Sequence, residues 1–155
     1  MRDYQLKLSS SQALSGVADT GILQDENLLD FGTLKNTWDT TITPDTGNSA
    51  RLILALFVEA AVVCAGGATN YIEVAYASHT VDTSFATAAT KHLEFRLYHG
   101  VAVGARFYYR LPAGTMNKVQ GLIYTPKVGN LTSATVTADL VDAIETPTTQ
   151  YGVSL

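Results

Sequence analysis

The sequence predicts an all-β fold, an antiparallel jelly-roll β-sandwich with an extended N-terminal segment. Two stretches, Lys91 to Tyr98 and Ser133 to Asp142, alternate between polar and apolar residues. A period of two is the pattern of a strand with one buried face. Turn signals containing glycine and proline separate the strand-like runs at short intervals. Many short strands between such turns are typical of a β-sandwich or a jelly roll.

The other elements follow from composition and turn chemistry. Runs rich in aromatic and β-branched residues predict strands at Tyr71 to Ser78, Ala105 to Leu111 and Lys118 to Tyr124, the last ended by Thr125 and Pro126. The alanines of Leu52 to Val63 allow a helix, whereas its branched residues and the following Gly66-Gly67 favour a strand buried on both faces. Thr83 to Thr90 allows a short helical turn.

The N-terminal part of the chain follows no period. Between Asp19 and Trp38, isolated large apolar residues lie among polar ones. Such a segment fits an arm on a second surface or a long loop packed on its own domain. We expect one domain over residues 1–155, with about 10–46 partly an extended arm or long loops. Phe31 and Trp38 are the candidate anchors to another chain, because aromatic side chains bury the most area.

Composition excludes nucleic acid as a partner. Charged residues make up 15% of the chain, against about a quarter in typical proteins, and the net charge is −4. Ten lysines and arginines spread along the chain supply no basic face. The apolar share of 46% fits either a surface covered in an assembly or a plain sandwich rich in threonine and alanine.

A membrane location and export are not expected either. The longest apolar stretch, Leu52 to Ala65, contains Glu59 and is too short to span a bilayer. The N-terminus lacks the apolar region of a signal peptide. Cys64 is the lone cysteine, so no internal disulfide forms, and we expect a reducing cytoplasm or a particle assembled there.

No motif for catalysis is present in the sequence. It contains no His-x-His pair, no Gly-x-Ser-x-Gly elbow and no Walker loop. His92 and Glu94 share a strand face, but two residues are a weak sign of a metal site. We therefore expect a protein that is not an enzyme, with no catalytic residue, no metal and no cofactor. A cupin-like metal enzyme is the least favoured alternative.

The segment Arg106-Phe107-Tyr108-Tyr109-Arg110 is the main candidate for a binding surface. In a strand, Phe107 and Tyr109 point to one side while Arg106, Tyr108 and Arg110 point to the other. Exposed tyrosine beside arginine is typical of protein interfaces. A cross-strand aromatic ladder is the alternative interpretation.

Five short motifs occur in an order that resembles one family. They are Ser11-Gln12-Ala13, Asp30-Phe31-Gly32, Arg110-Leu111-Pro112-Ala113-Gly114, Gln120 to Thr125, and Thr135 to Val141. In this order the chain resembles the capsid cement (decoration) protein family of tailed phages, as in the short-tailed Bordetella phage. The stretch Asn27 to Thr46 is longer than its counterpart in that family.

The resemblance implies a structural virion protein with a jelly-roll fold. It would bind the outside of an icosahedral capsid and staple neighbouring subunits of the major capsid protein. The resemblance also implies self-association, a homodimer favoured over a trimer, on the outer capsid surface after assembly in the host cytoplasm. The alternative is a carbohydrate-binding β-sandwich of a phage tail or adhesin, with an aromatic platform from Tyr71, Tyr76, Tyr108 or Trp38.

Overall fold

The computed structural model describes residues 7–32, 34–35, 41–42, 52–127 and 129–142. Two antiparallel sheets pack face to face as a β-sandwich. The elements are β1 (Lys7–Ala13), β2 (Leu23–Gln24), β3 (Leu29–Asp30), β4 (Leu34–Lys35), β5 (Thr41–Ile42), β6 (Leu52–Cys64), β7 (Tyr71–His79), α1 (Phe85–Ala88), β8 (Thr90–Tyr98), β9 (Arg106–Arg110), β10 (Val119–Lys127) and β11 (Leu131–Asp142).

The strand pairings are nested along the chain. The first sheet has the order β1-β11-β6-β9, and the second sheet has the order β2-β10-β7-β8, with β3 also on β10. With β2 and β3 counted as one interrupted strand, β1 pairs with β11, β2/β3 with β10, β6 with β9, and β7 with β8. All of these pairs are antiparallel. The short strands β4 and β5 pair with each other.

The two-residue periods are confirmed. In β8, Phe95 and Leu97 are buried while Glu94 and Arg96 are exposed. The buried positions of β11 are Leu131, Ala134, Val136, Ala138 and Leu140. The core between the sheets is built from such inward rows, so the alternation that predicts the strands also predicts their buried faces.

The ambiguous segment is a strand, because β6 pairs with β11 on one side and with β9 on the other. Its inward residues Leu54, Leu56 and Val58 are buried. Its outward residues are half-buried or, at Val63, exposed. The expectation of burial on both faces was therefore wrong for the outer face, which forms part of the molecular surface.

Strand β10 continues through Pro126 to Lys127, beyond its expected end. The carbonyl of Pro126 accepts a hydrogen bond from the Thr20 amide at 3.0 Å. In an antiparallel strand the N–H and C=O of one residue point to the same side, so the missing N–H faces Thr20 rather than β7. A proline in that position removes no hydrogen bond from the β7 ladder.

A smaller apolar cluster lies on the outer face of the second sheet. It consists of Ala75, Ala77, Phe85, Val119 and Ile123, with Leu28 and Ala89 packed against it. The short helix α1, which the sequence allowed as a helical turn, contributes its one buried residue, Phe85. The cluster therefore joins α1, the second sheet and the N-terminal segment.

Replacing Gly129 with alanine is expected to lower the free energy of unfolding by about 3 kcal/mol. Its φ of +137° is strained for any L side chain, and an added Cβ would overlap the backbone oxygen of Ala65. Gly104→Ala is the control, because its φ is +90° but a Cβ would meet nothing within 4 Å. Urea denaturation of both variants separates the two effects. If both variants lost the same free energy of unfolding, the overlap of the added Cβ with the Ala65 oxygen would cost nothing.

Candidate functional site

The outer face of the first sheet forms a shallow groove of about 610 Å³. Adjacent strands contribute facing pairs to it, Phe57 opposite Arg106 and Ala55 opposite Tyr108. We call this surface the sheet groove, and Arg110 continues the row of Arg106 and Tyr108 at its rim. Its lining residues are Lys7, Ser11, Ala55, Leu56, Phe57, Glu59, Arg106, Tyr108, Thr137, Asp139 and Val141.

Strand β9 divides its side chains as the alternation predicts. Phe107 and Tyr109 pack against the core, where the Tyr109 ring stacks on Phe95 with 3.9 Å between centroids. The rings of Phe107 and Tyr109 are also stacked, with their centroids 6.5 Å apart. The inward pair thus forms an aromatic stack, while Arg106 and Tyr108 line the sheet groove. The inward stack joins β9 to β8 of the other sheet rather than to a neighbouring strand, and the interface interpretation of the outward face stays a prediction.

The sheet groove and its rim carry charges of both signs. Among the described residues, the cations and carboxylates there are Lys7, Arg106, Arg110, Glu59 and Asp139. The lining itself is balanced, with two cations against two carboxylates, and Arg110 adds a further cation in the outward row of β9. The Arg106 guanidinium lies 5.3 Å from the centroid of the Phe57 ring, within the range of a cation–π contact.

Glu59 is held in place by the neighbouring strand β11. Thr137 donates its hydroxyl proton to Glu59 Oε1 at 2.6 Å, and Thr137 Oγ1 accepts the Ser11 amide proton at 2.8 Å. Hydrogen bonds from the side chains of Ser11 and Thr137 hold the pKa of the Glu59 carboxyl below its ordinary value. Glu59 therefore stays ionised at neutral pH and is a fixed negative point in the groove.

The floor of the groove was not predicted from the sequence. In the sequence Glu59 interrupts an apolar run, whereas in the structure it continues the outward row of Ala55 and Phe57 on β6. Ser11 reaches the groove through an irregularity of β1, where its φ is +52° and the register to β11 shifts. The period of two could have placed Glu59. The irregularity at Ser11 has no local sequence signal.

The two aromatic anchor candidates are not brought to the groove. Phe31 follows β3, donates its amide proton to the Lys118 carbonyl at 2.9 Å, and packs half-buried against the core. Trp38 lies outside the described residues. Residues 19–32 run along the edge of the second sheet, which is the geometry of a loop packed on its own domain. Their contact with another chain stays a prediction.

Two of the histidines have side-chain or backbone partners near the core. Ser78 Oγ and His92 Nε2 are 2.7 Å apart, and burial lowers the pKa of His92. Ser78 is completely buried, so its hydroxyl does not face a cleft. His99 Nδ1 accepts the amide proton of Cys64, whose thiol pKa is raised by burial. Over the described ranges, no three His, Cys, Asp or Glu side chains come close enough together to hold a metal ion.

The outer face of the second sheet carries another group of arginine and tyrosine. The guanidinium of Arg96 lies 4.6 Å from the centroid of the Tyr71 ring, and that centroid lies 5.6 Å from the centroid of Tyr98. Beside them, Lys91 binds two carboxylates at 2.7 and 3.1 Å. This face carries arginine and tyrosine as the sheet groove does, but it lies on the other sheet. It is therefore a suitable control surface for substitutions in the groove.

One residue of the suggested aromatic platform is not accessible. Tyr76 is fully buried and donates its hydroxyl proton to Gln120 Oε1 at 2.6 Å. Tyr108 lies in the sheet groove, and Tyr71 lies on the opposite face. The expectation that Tyr76 could stack on a sugar was wrong, because its inward position in β7 places it in the core.

Comparison with known proteins gives no match, neither to a protein family nor to a curated protein. In the part of the chain that the structure describes, no helix is long and apolar enough to cross a bilayer.

Proposed function

We propose that this chain is a structural virion protein that binds the outside of an icosahedral phage capsid and staples neighbouring capsid subunits. The observation that carries the proposal is the sheet groove, where Arg106 and Tyr108 stand in an outward row with Arg110. Arginine and tyrosine are enriched where protein interfaces gain most of their binding energy. The ordered motifs that resemble those of capsid cement proteins support the same function.

The strand order supports a jelly roll as the finer description of the sandwich. Over the described residues, the first strand pairs with the last, and this nesting continues inward over eight strands in two sheets, which is the pairing expected of that topology. Jelly rolls occur in viral capsid proteins, lectins and cupins. Fold alone does not choose between these classes, so the choice depends on the groove and the motifs.

The proposed partners are the major capsid protein and a second copy of this chain. Arg106 and Arg110 stand in the same outward row of β9, so this row fits a protein surface that offers carboxylates to them. Stapling needs contacts to two capsid subunits. A homodimer supplies them by presenting the same groove twice, and the resemblance to capsid cement proteins implies a dimer rather than a trimer.

The double variant Arg106→Ala/Tyr108→Ala is expected to weaken binding to capsid shells at least tenfold, since truncating a central tyrosine or arginine commonly costs about 1–2 kcal/mol or more. The probe is empty shells of the major capsid protein from the genome that encodes this chain. Co-sedimentation at increasing protein concentration measures the affinity. The melting temperature of the free variant should change little, because both side chains are partly exposed.

The matched control is Arg96→Ala/Tyr98→Ala, which removes the same residue types from the other sheet. Retained binding by this control, with loss in the groove variant, supports the proposal. If only the control variant lost shell binding, the capsid contact would lie on the second sheet instead. A wild-type protein that does not sediment with the shells would overturn the function itself.

A carbohydrate-binding module is the second candidate, and the outward-facing rings of Tyr71 and Tyr98 favour it. The 55° angle between these rings makes them a tilted pair rather than a flat platform. A glycan array probed with the wild type and with Arg96→Ala/Tyr98→Ala tests this function. Selective glycan binding that the variant loses would favour it over the capsid proposal.

A further inference from the structure

Residues 18–32 form a strap along one edge of β10. The short strands β2 and β3 lie within it and pair with β10. Backbone amides of the strap also donate hydrogen bonds of 2.9–3.0 Å to carbonyls in and just before β10, in the pairs Thr20–Pro126, Asp25–Leu122 and Phe31–Lys118. These bonds cover a sheet edge that would otherwise present unpaired backbone groups.

The side chain of Asp25 is buried beneath this strap, in the part of the chain that the structure describes, with no well-aligned hydrogen bond to its carboxylate. Only 2% of the residue is exposed, and among the described residues neither carboxylate oxygen has a hydrogen-bond partner in good geometry, although the backbone of Leu122 and of Asp25 itself lies close to them. It lies against Gly121, where an added Cβ would stand 2.7 and 2.8 Å from the two oxygens. Gly121 shares its face of β10 with Val119 and Ile123 of the apolar cluster. An ionised carboxylate in such a site costs far more free energy than a neutral one.

Within the described ranges, no cation lowers the pKa of Asp25, which responds to its burial and to the backbone of Leu122 and of Asp25 itself. The nearby carboxyl groups of Asp25 and Glu26 both raise the pKa of Tyr124 of β10. Burial raises the pKa of Tyr124, so its hydroxyl stays neutral. Helix α1 carries no ionisable residue, and β7 contributes alanines to the cluster.

Burial therefore dominates the titration of this carboxyl group. Desolvation raises the pKa of Asp25 to about 8, and the nearby backbone of Leu122 and of Asp25 itself lowers that pKa only in part. A carboxyl group in this position is protonated at neutral pH as long as the strap covers it.

We propose that Asp25 makes the strap a pH-controlled element, which is closed while the carboxyl group is protonated and opens as the group ionises. In the open state the carboxylate reaches water, where it is stable at neutral pH. Opening uncovers the edge of β10 and releases the apolar side chains of Leu23, Leu29 and Phe31 from the core. Phe31 then becomes free to contact another chain.

The pH dependence follows from proton linkage. In the open strap Asp25 ionises near the ordinary aspartate pKa, whereas in the closed strap it stays protonated up to a pKa of about 8. The opening equilibrium therefore grows by up to about tenfold per pH unit from about pH 4, and levels near pH 8. The variant Asp25→Asn has nothing to ionise at this position and should open to the same extent at every pH.

Hydrogen exchange of the Thr20 and Phe31 amides measures opening directly, since both amides bond to the β10 region. The ratio of wild-type to Asp25→Asn exchange rates cancels the intrinsic pH dependence of exchange. We expect this ratio to rise at least about tenfold between pH 5 and pH 7.5. Asp19→Asn is the matched control, because Asp19 is exposed on the same strap, and its ratio to the wild type should stay within about twofold.

Two outcomes would overturn the proposal. One is a ratio of wild-type to Asp25→Asn rates that does not change with pH. The other is equal protection of the strap amides and of the Val58 and Val62 amides at every pH. Because Val58 and Val62 belong to the first sheet, equal protection would show that the strap opens only when the whole domain unfolds. Neither measurement involves capsid binding, so this inference and the proposed function fail separately.

Discussion

Phe85→Ala is expected to lower the free energy of unfolding by about 3–5 kcal/mol, the usual cost of truncating a fully buried phenylalanine. Phe85 has no exposed surface and lies in the apolar cluster on the second sheet. It also holds α1, a helix of four residues whose N-cap Ser84 makes no capping hydrogen bond through its side chain. A helix this short has no stability of its own, so its position depends on this one side chain.

Urea denaturation of the variant measures the loss, and Phe57→Ala is the control. Phe57 is the same residue type, but it is half-buried on the outer face of β6. We expect Phe57→Ala to lower the free energy of unfolding by well under half as much as Phe85→Ala does. If both variants lost the same free energy, the cluster under α1 would contribute no more to stability than an open sheet face does.

The layers of this protein can be predicted from the sequence because alternation is a local signal. In β8 and β11 the buried and exposed positions follow one another along a single strand. The same rule places Phe107 and Tyr109 toward the core and Arg106 and Tyr108 on the outer face. The outer pair forms one wall of the sheet groove. These positions depend only on which face of one strand meets the core.

Features that combine distant segments could not be predicted in this way. The burial of Asp25 depends on Gly121, whose missing side chain leaves room for the carboxyl group. Nothing in the residues around either position indicates that they meet. Similarly, Pro126 ends a strand by its local propensity, but here the N-terminal strap lies on the side where its missing N–H would point.

The same burial of Asp25 should make the stability of the whole domain depend on pH. The pKa of Asp25 is raised from 3.8 to about 8 by folding. A group with a raised folded pKa contributes stability that is fully present below the unfolded pKa and is lost as pH rises through the folded one. Wild-type stability should therefore fall relative to that of Asp25→Asn by up to about 5–6 kcal/mol between about pH 4 and about pH 8, and by less where the strap opens below pH 8.

Urea denaturation of the wild type and Asp25→Asn at several pH values measures this difference, with Asp19→Asn as the exposed control. The difference should widen by up to about 1.4 kcal/mol per pH unit. A difference that is constant with pH would show that Asp25 ionises equally in the folded and unfolded chains.

The pH at which the widening stops is itself informative. Above a certain pH, opening the strap costs less free energy than ionising Asp25 inside the closed strap. The folded protein then binds the same number of protons as the unfolded chain, so the stability difference no longer changes with pH. The total loss of stability up to that pH then equals the free energy of opening the protonated strap. Hydrogen exchange of the Thr20 and Phe31 amides in Asp25→Asn measures the same quantity independently, because both amides are protected by their bonds to the β10 region. Agreement between the two values is the expected result, and a levelling only near the closed-strap pKa of about 8 would mean that the strap stays closed over an ionised carboxylate.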